Sequence, residues 1–158
     1  MASGRPLSPH LQVYKWGPAM LVSILHRASG DGLAIVGTCM FLWWLGAIAG
    51  GPESYQAFLN CVWQAAPAVP AATAPGAAPV ATVTETSLSI TNWIGRAVLI
   101  GLTWAFFQHL FSGLRHFVLD TGAGYGLPTN KLWSTIVIIG ALFATAGVWL
   151  SIFARAFT

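Results

Sequence analysis

The sequence predicts an all-α membrane protein in which a single domain, residues 1–158, contains three transmembrane helices. Hydrophobic residues make up 56% of the chain and charged residues only 7%, whereas soluble domains average about 25% charged residues. Three segments, roughly 20–49, 90–118 and 132–155, are apolar over enough residues to cross a hydrocarbon core about 30 Å thick. The net charge of +3 comes from seven basic residues scattered along the chain, so no basic patch indicates nucleic acid binding.

The distribution of basic residues predicts the orientation of the spans. Lysine and arginine are absent between residues 50 and 90, whereas Arg5, Lys15 and Arg27 precede or open the first span. Because positively charged connections stay in the cytoplasm, the N-terminus is predicted to be cytoplasmic, and three spans place the C-terminus outside. The predicted connections are a cytoplasmic N-terminal segment 1–17, an external loop 50–89 and a cytoplasmic loop 119–131.

The N-terminal segment argues against a cleaved leader. Pro6 and Pro9 favour an extended or turn-like backbone before the first helix, which is predicted to begin near residues 16–18. The first 17 residues have neither the short apolar core of a signal peptide nor the Arg- and Ser-rich amphipathic pattern of an organellar transit peptide. We therefore expect a protein of the bacterial inner membrane.

The external connection divides into two parts. Residues 52–63 begin with proline and glutamate, which favour a helix N-terminus, and are predicted to form a short interfacial helix. Residues 65–83 are dominated by Ala, Pro, Thr and Val without a helical or strand period, which predicts an irregular loop. Cys39 and Cys61 fall at different depths, so no disulfide is expected.

The second span carries costly polar residues in the stretch Gln108–Asp120. His109 and His116 share one helix face about 10 Å apart along the axis, with Gly113 on the same stripe. One imidazole could ligate the metal of a haem, and the missing side chain at Gly113 would let the ring approach. Arg115 and His116 would then lie near its ionised edge. Two ligands on one face cannot reach both sides of a ring, so a second axial ligand must come from elsewhere.

The first span opens with another polar cluster. Ser23 and Arg27 are four residues apart and share a face, where a hydroxyl and a guanidinium could both donate to one oxygen atom. Arg27 could instead be only a positive-inside anchor, or could pair with Asp31 one turn later. Arg96 is expected to extend to the lipid headgroups. The third span has no ionisable residue before Arg155 and is expected to serve packing.

Two motifs occur in order along the chain. Residues 23–30, Ser-Ile-Leu-His-Arg-Ala-Ser-Gly, follow an Arg-Pro-x-Ser-Pro-His-Leu opening, and residues 109–120 read His-x3-Gly-x-Arg-His-x3-Asp. Together with the three spans, these motifs closely resemble the cytochrome b membrane-anchor subunit of succinate dehydrogenase. The Ala/Pro-rich segment 65–83 makes the connection longer than is usual in that family, but it lies far from both motifs.

The resemblance implies a complex of a flavoprotein, an iron–sulfur protein and two small membrane anchors, which oxidises succinate and reduces ubiquinone. This chain would be the larger anchor, with the succinate-oxidising site on another chain. It would hold one b-type haem in a helix bundle formed with the second anchor. In the family, His109 matches one axial ligand, the second anchor supplies the other, and the quinone site near the cytoplasmic interface matches Ser23 and Arg27. The residues expected near the haem propionates are His26, Arg27, Arg115 and His116.

Two other functions remain open. A purely structural membrane adaptor that docks a soluble enzyme would bind no cofactor, and reduced-minus-oxidised absorption separates it from a cytochrome. An anchor of a quinol:fumarate reductase is also compatible, because the direction of electron flow cannot be read from an anchor. A chain holding two haems would need four axial ligands, and four histidines are reached only when His10 is counted. One haem shared between subunits is the favoured interpretation.

Overall fold

The computed structural model describes residues 16–63 and 85–156, and over this part of the chain it is a bundle of helices. The predictions for the N-terminal segment, including His10, and for the Ala/Pro-rich residues 65–83 lie outside the described residues. In chain order the helices are α1 Pro18–Gly32, α2 Thr38–Ala49, α3 Pro52–Val62, α4 Glu85–Asp120 and α5 Leu127–Ala156.

Three stretches of these helices are long and apolar enough to cross a membrane, as predicted. They are Pro18–Ala49, Ile90–Asp120 and Leu127–Arg155. The third begins five residues before the expected position 132, because Pro128 falls in the first turn of α5, where a missing N–H costs nothing. Gly122 and Gly124 make the preceding turn with φ of 85° and 83°, values that favour glycine. The all-α fold with three membrane spans is therefore confirmed.

The first span contains a segment that the hydrophobic pattern did not predict. Residues Leu33–Gly37 form a π-helix between α1 and α2, so the span is continuous but locally wider than an α-helix. α1 begins at Pro18 after an extended Gly17. The π-helix follows directly on the polar motif of residues 23–30, and it therefore separates the polar end of the span from its apolar remainder.

Several buried side chains of α4 and α5 are polar. Gln108, Ser112 and Ser134 are fully buried, and the amide Nε2 of Gln108 donates a hydrogen bond of 3.1 Å to the Ser112 hydroxyl. Large apolar side chains point outward, among them Phe117 and Phe143, which are 71% and 74% exposed. Small and polar contacts between helices with apolar outer faces are typical of membrane bundles.

The short helix predicted for residues 52–63 is confirmed as α3, Pro52–Val62. Phe58 and Val62 are buried against Ala47 of α2. We expected Arg96 to extend to the headgroups, but its guanidinium donates a 2.7 Å hydrogen bond to the backbone carbonyl of Trp63 and lies over the Trp63 and Trp93 rings. Arg96 therefore ties the end of α3 to α4. Cys39 and Cys61 are both free thiols, as predicted.

Candidate functional site

The histidines of the two sequence motifs meet between α1 and α4. The rings of His26 and His109 are stacked, with centroids 4.0 Å apart and planes 12° apart. His116 approaches the same His26 ring edge-on, with centroids 5.1 Å apart and planes 62° apart. His109 and His116 lie two turns apart on one face of α4, so the ring of His26 from α1 fits between them. We refer to His26, His109 and His116 as the histidine group.

The hydrogen bond of His109 determines its tautomer. Its Nδ1 lies 3.1 Å from the backbone carbonyl oxygen of His26. Because a carbonyl can only accept, Nδ1 carries a proton, and in the neutral imidazole Nε2 then holds the lone pair. Metal-ligating histidines are commonly held in this way, with the other ring nitrogen donating to a backbone carbonyl. A neutral His109 held in this way would have Nε2 free to bind a metal.

A metal ion held by protein side chains alone does not account for this arrangement. Within residues 16–63 and 85–156, no three His, Cys, Asp or Glu side chains are placed to hold one metal ion. The stacked faces of His26 and His109 direct their ring nitrogens along nearly parallel planes instead of toward one point. One imidazole as a ligand to a metal already carried by a planar prosthetic group fits the arrangement better.

Two small residues of α1 that the sequence analysis did not single out also contact His109. Ser29 is only 3% exposed; its hydroxyl donates to the His26 carbonyl at 3.0 Å and lies 3.5 Å from Nδ1 of His109. At Gly30, a Cβ would lie 3.0 Å from Cε1 and 3.3 Å from Nδ1 of the same ring. The Ser-Gly pair that ends the first motif was the available signal, but its partner on α4 could not be read from the sequence.

Gly113 and Arg115 face different neighbours. A Cβ at Gly113 would lie 4.0 Å from Cε1 of His26, so the glycine lies beside the histidine group. Arg115 is 8% exposed, and its guanidinium donates to the side-chain oxygen of Asn130 on α5. It also lines an apolar cavity of about 310 Å³ between α4 and α5. The described contacts of Arg115 therefore lead to α5 and away from the histidine group.

Ser23 and Arg27 lie one turn apart on α1 and are both exposed. An exposed hydroxyl and an exposed cation at this end of the span are available to a molecule arriving from lipid or to a partner chain.

The fold and the histidine group define a class: a multi-pass helical membrane protein in which histidine side chains from two spans meet. The model of the succinate dehydrogenase/fumarate reductase transmembrane subunit family matches residues 1–149, and the chain belongs to this family.

Similar proteins carry names that agree with the family. The chain is 37% identical over 127 residues to the succinate dehydrogenase cytochrome b556 subunit of Paracoccus denitrificans, which covers 80% of this chain and 74% of the relative. It is 25% identical over 146 residues to the succinate dehydrogenase cytochrome b556 subunit of Rickettsia felis, and the alignment covers 92% of this chain and 91% of the relative. It is 27% identical over 151 residues to the mitochondrial succinate dehydrogenase cytochrome b560 subunit of Mus musculus, and the alignment covers 93% of this chain and 71% of the relative. These similarities support a membrane anchor of succinate dehydrogenase.

Proposed function

We propose that this chain is the larger membrane anchor of a succinate:quinone oxidoreductase and that it holds one b-type haem through His109. The observation that carries the proposal is the hydrogen bond from Nδ1 of His109 to the His26 carbonyl, which leaves Nε2 with a lone pair. In this proposal a second small anchor supplies the other axial ligand, and the two chains form one helix bundle around the haem. A flavoprotein and an iron–sulfur subunit carry the succinate-oxidising chemistry.

The residues present fit a haem. A haem supplies reversible one-electron transfer at its iron when bound. Nε2 of His109 would bind the metal, and the His26 carbonyl holds the ligand ring in its tautomer. Gly113 keeps a side chain out of the space beside the ring of His26. For the propionates we retain His26, Arg27, Arg115 and His116 as the proposed partners; of these, Arg115 already has Asn130 as a hydrogen-bond partner.

Ser23 and Arg27 are proposed to bind ubiquinone at the cytoplasmic end of the first span. Their exposure on one face of α1 supports this assignment, because quinone carbonyl oxygens need hydrogen-bond donors. The guanidinium would stabilise negative charge that develops on a quinone oxygen during reduction. The cytoplasmic N-terminus, the external C-terminus and a bacterial inner membrane belong to the same proposal.

The test is a comparison of two histidine variants in the complex purified with mild detergent. His109→Ala should remove the haem absorption bands, because a lost axial bond has no local substitute. The matched variant His116→Ala, on the same face of α4, should keep more haem. An unchanged low-spin spectrum in the His109 variant would reject the ligand assignment. A parental complex without haem would favour the non-redox adaptor, and identification of the co-purifying subunits tests the partners.

A further inference from the structure

The imidazole of His109 is enclosed by α1 on more than one side. The ring of His26 covers one face at a centroid distance of 4.0 Å. The backbone of α1 approaches so closely at Gly30 that a Cβ would lie 3.0 Å from Cε1 of His109. The backbone carbonyl oxygen of His26 accepts a 3.1 Å hydrogen bond from Nδ1 of His109. Contacts from one turn of a single helix therefore hold the ring in one orientation.

We propose that Ser29 and Gly30 are positioning residues for His109: Gly30 provides the space that the ring occupies, and Ser29 adjusts the strength of its hydrogen bond to α1. This inference rests on the proposed function, because it concerns the orientation and basicity of the same ligand. Neither residue needs to touch the prosthetic group, since both act through the imidazole.

The role of Gly30 follows from the distances. Ordinary van der Waals contacts of a Cβ begin at 3.4 Å, so the 3.0 Å approach would require the ring to move by about 0.4 Å. The His109 ring has little freedom to move, because the His26 ring is stacked on it. A displacement would lengthen the hydrogen bond from Nδ1 and tilt Nε2. Gly32 offers a matched comparison, since a Cβ there would meet nothing within 4 Å.

The role of Ser29 follows from a shared acceptor. Its hydroxyl and Nδ1 of His109 both donate to the carbonyl oxygen of His26, at 3.0 Å and 3.1 Å. Two donors that share one oxygen compete for its electron density, so each hydrogen bond is weaker than it would be alone. Removing the hydroxyl would strengthen the bond from Nδ1, and a stronger bond makes the imidazole a more basic ligand. A more basic ligand favours the oxidised metal.

The experiment uses the complete complex with Ser29→Ala, Gly30→Ala and the control Gly32→Ala. The measurements are haem content per complex, the low-spin electron paramagnetic resonance signal and the haem midpoint potential. Gly30→Ala should weaken haem retention about tenfold or more, the scale on which lost outer-shell support acts. Ser29→Ala should retain haem but lower its midpoint potential and shift the resonance signal. Gly32→Ala should match the parent in all three measurements.

The outcomes separate this inference from the proposed function. If the parental haem depends on His109, but Ser29→Ala and Gly30→Ala both match Gly32→Ala, the positioning role is overturned while the ligand assignment stands. A parental complex that lacks haem, or a His109→Ala complex that keeps it, overturns both. If Gly30→Ala does not assemble, Ser29→Ala decides alone, because it removes one hydroxyl and adds no volume. A merely structural serine would leave the potential and the resonance signal unchanged.

Discussion

Replacing Gly95 by alanine should detach α3 from the membrane bundle. The backbone of Val62 lies against Gly95 of α4, so that an added Cβ would be 2.7 Å from the Val62 carbonyl oxygen and 2.8 Å from its Cα. These are backbone atoms, which cannot rotate aside as the end of a side chain can. Relief to an ordinary 3.4 Å contact requires α3 to retreat by about 0.7 Å.

The cost of this retreat falls on the docking of α3. Overpacking a close contact costs about 1–3 kcal/mol. The gain in helix propensity from glycine to alanine belongs to α4 in both the docked and the detached state, so it cancels from the docking equilibrium. The docking constant should therefore fall by about 5-fold to more than 100-fold, since 1.4 kcal/mol corresponds to a factor of ten. Phe58 and Val62 would lose their burial together.

Cys61 reports this detachment, because it packs partly buried against the cluster of Ala47, Phe58 and Val62. In a Cys39→Ser background, the rate of maleimide modification at Cys61 should rise with the detached population. Gly101→Ala is the matched control on α4, since a Cβ there would meet nothing within 4 Å. If the Gly95 variant were labelled as slowly as the Gly101 variant, the contact between Val62 and Gly95 would not hold α3, and the reasoning would be refuted.

Three further predictions concern the quinone, the topology and the end of α3. Ser23→Ala and Arg27→Leu should slow quinone reduction. Succinate oxidation with an artificial acceptor, which takes electrons from the peripheral subunits, should keep its parental rate. If both variants assemble and reduce limiting quinone at the parental rate, the quinone site lies elsewhere. Ala74→Cys, in an otherwise cysteine-free chain, should be labelled from outside intact spheroplasts, and modification only from the cytoplasmic side would reverse the topology. Arg96→Met should destabilise the docking of α3 by about 1–3 kcal/mol, because the charge-assisted hydrogen bond to the Trp63 carbonyl is lost. An unchanged rate of maleimide modification at Cys61 would contradict this.

Much of the fold was predictable, because apolar length alone identifies membrane spans. The helix at Pro52–Val62 followed from proline and glutamate at its start. The π-helix at Leu33–Gly37 was not predicted. The change from i→i+4 to i→i+5 backbone hydrogen bonds leaves no mark in the sequence of a uniformly apolar stretch. The environment of Arg96 was missed for a different reason: its partner is a backbone carbonyl on another element, which no side-chain pattern records.

The candidate site was predictable only within each helix. Spacing placed His109 and His116 on one face of α4, and their approach to a common ring agrees with that placement. Spacing could not pair either of them with His26, because that contact depends on how α1 crosses α4. Arg115 shows the same limit. Its position beside His116 in the sequence predicted a place near the ionised edge of a haem, whereas its described hydrogen bond is to Asn130 on α5.

The contact between the two histidine rings bears on how the proposed site is completed. Stacking uses the faces of the His109 and His26 rings, and the 12° angle between their planes keeps those faces together. The lone pair of Nε2 lies in the plane of the ring, at its edge, so the stack and the ligand direction do not compete. The hydrogen bond from Nδ1 to α1 fixes the opposite side of the same ring. In the proposed function, this chain would therefore orient one histidine ligand by itself, and the second anchor would supply the other.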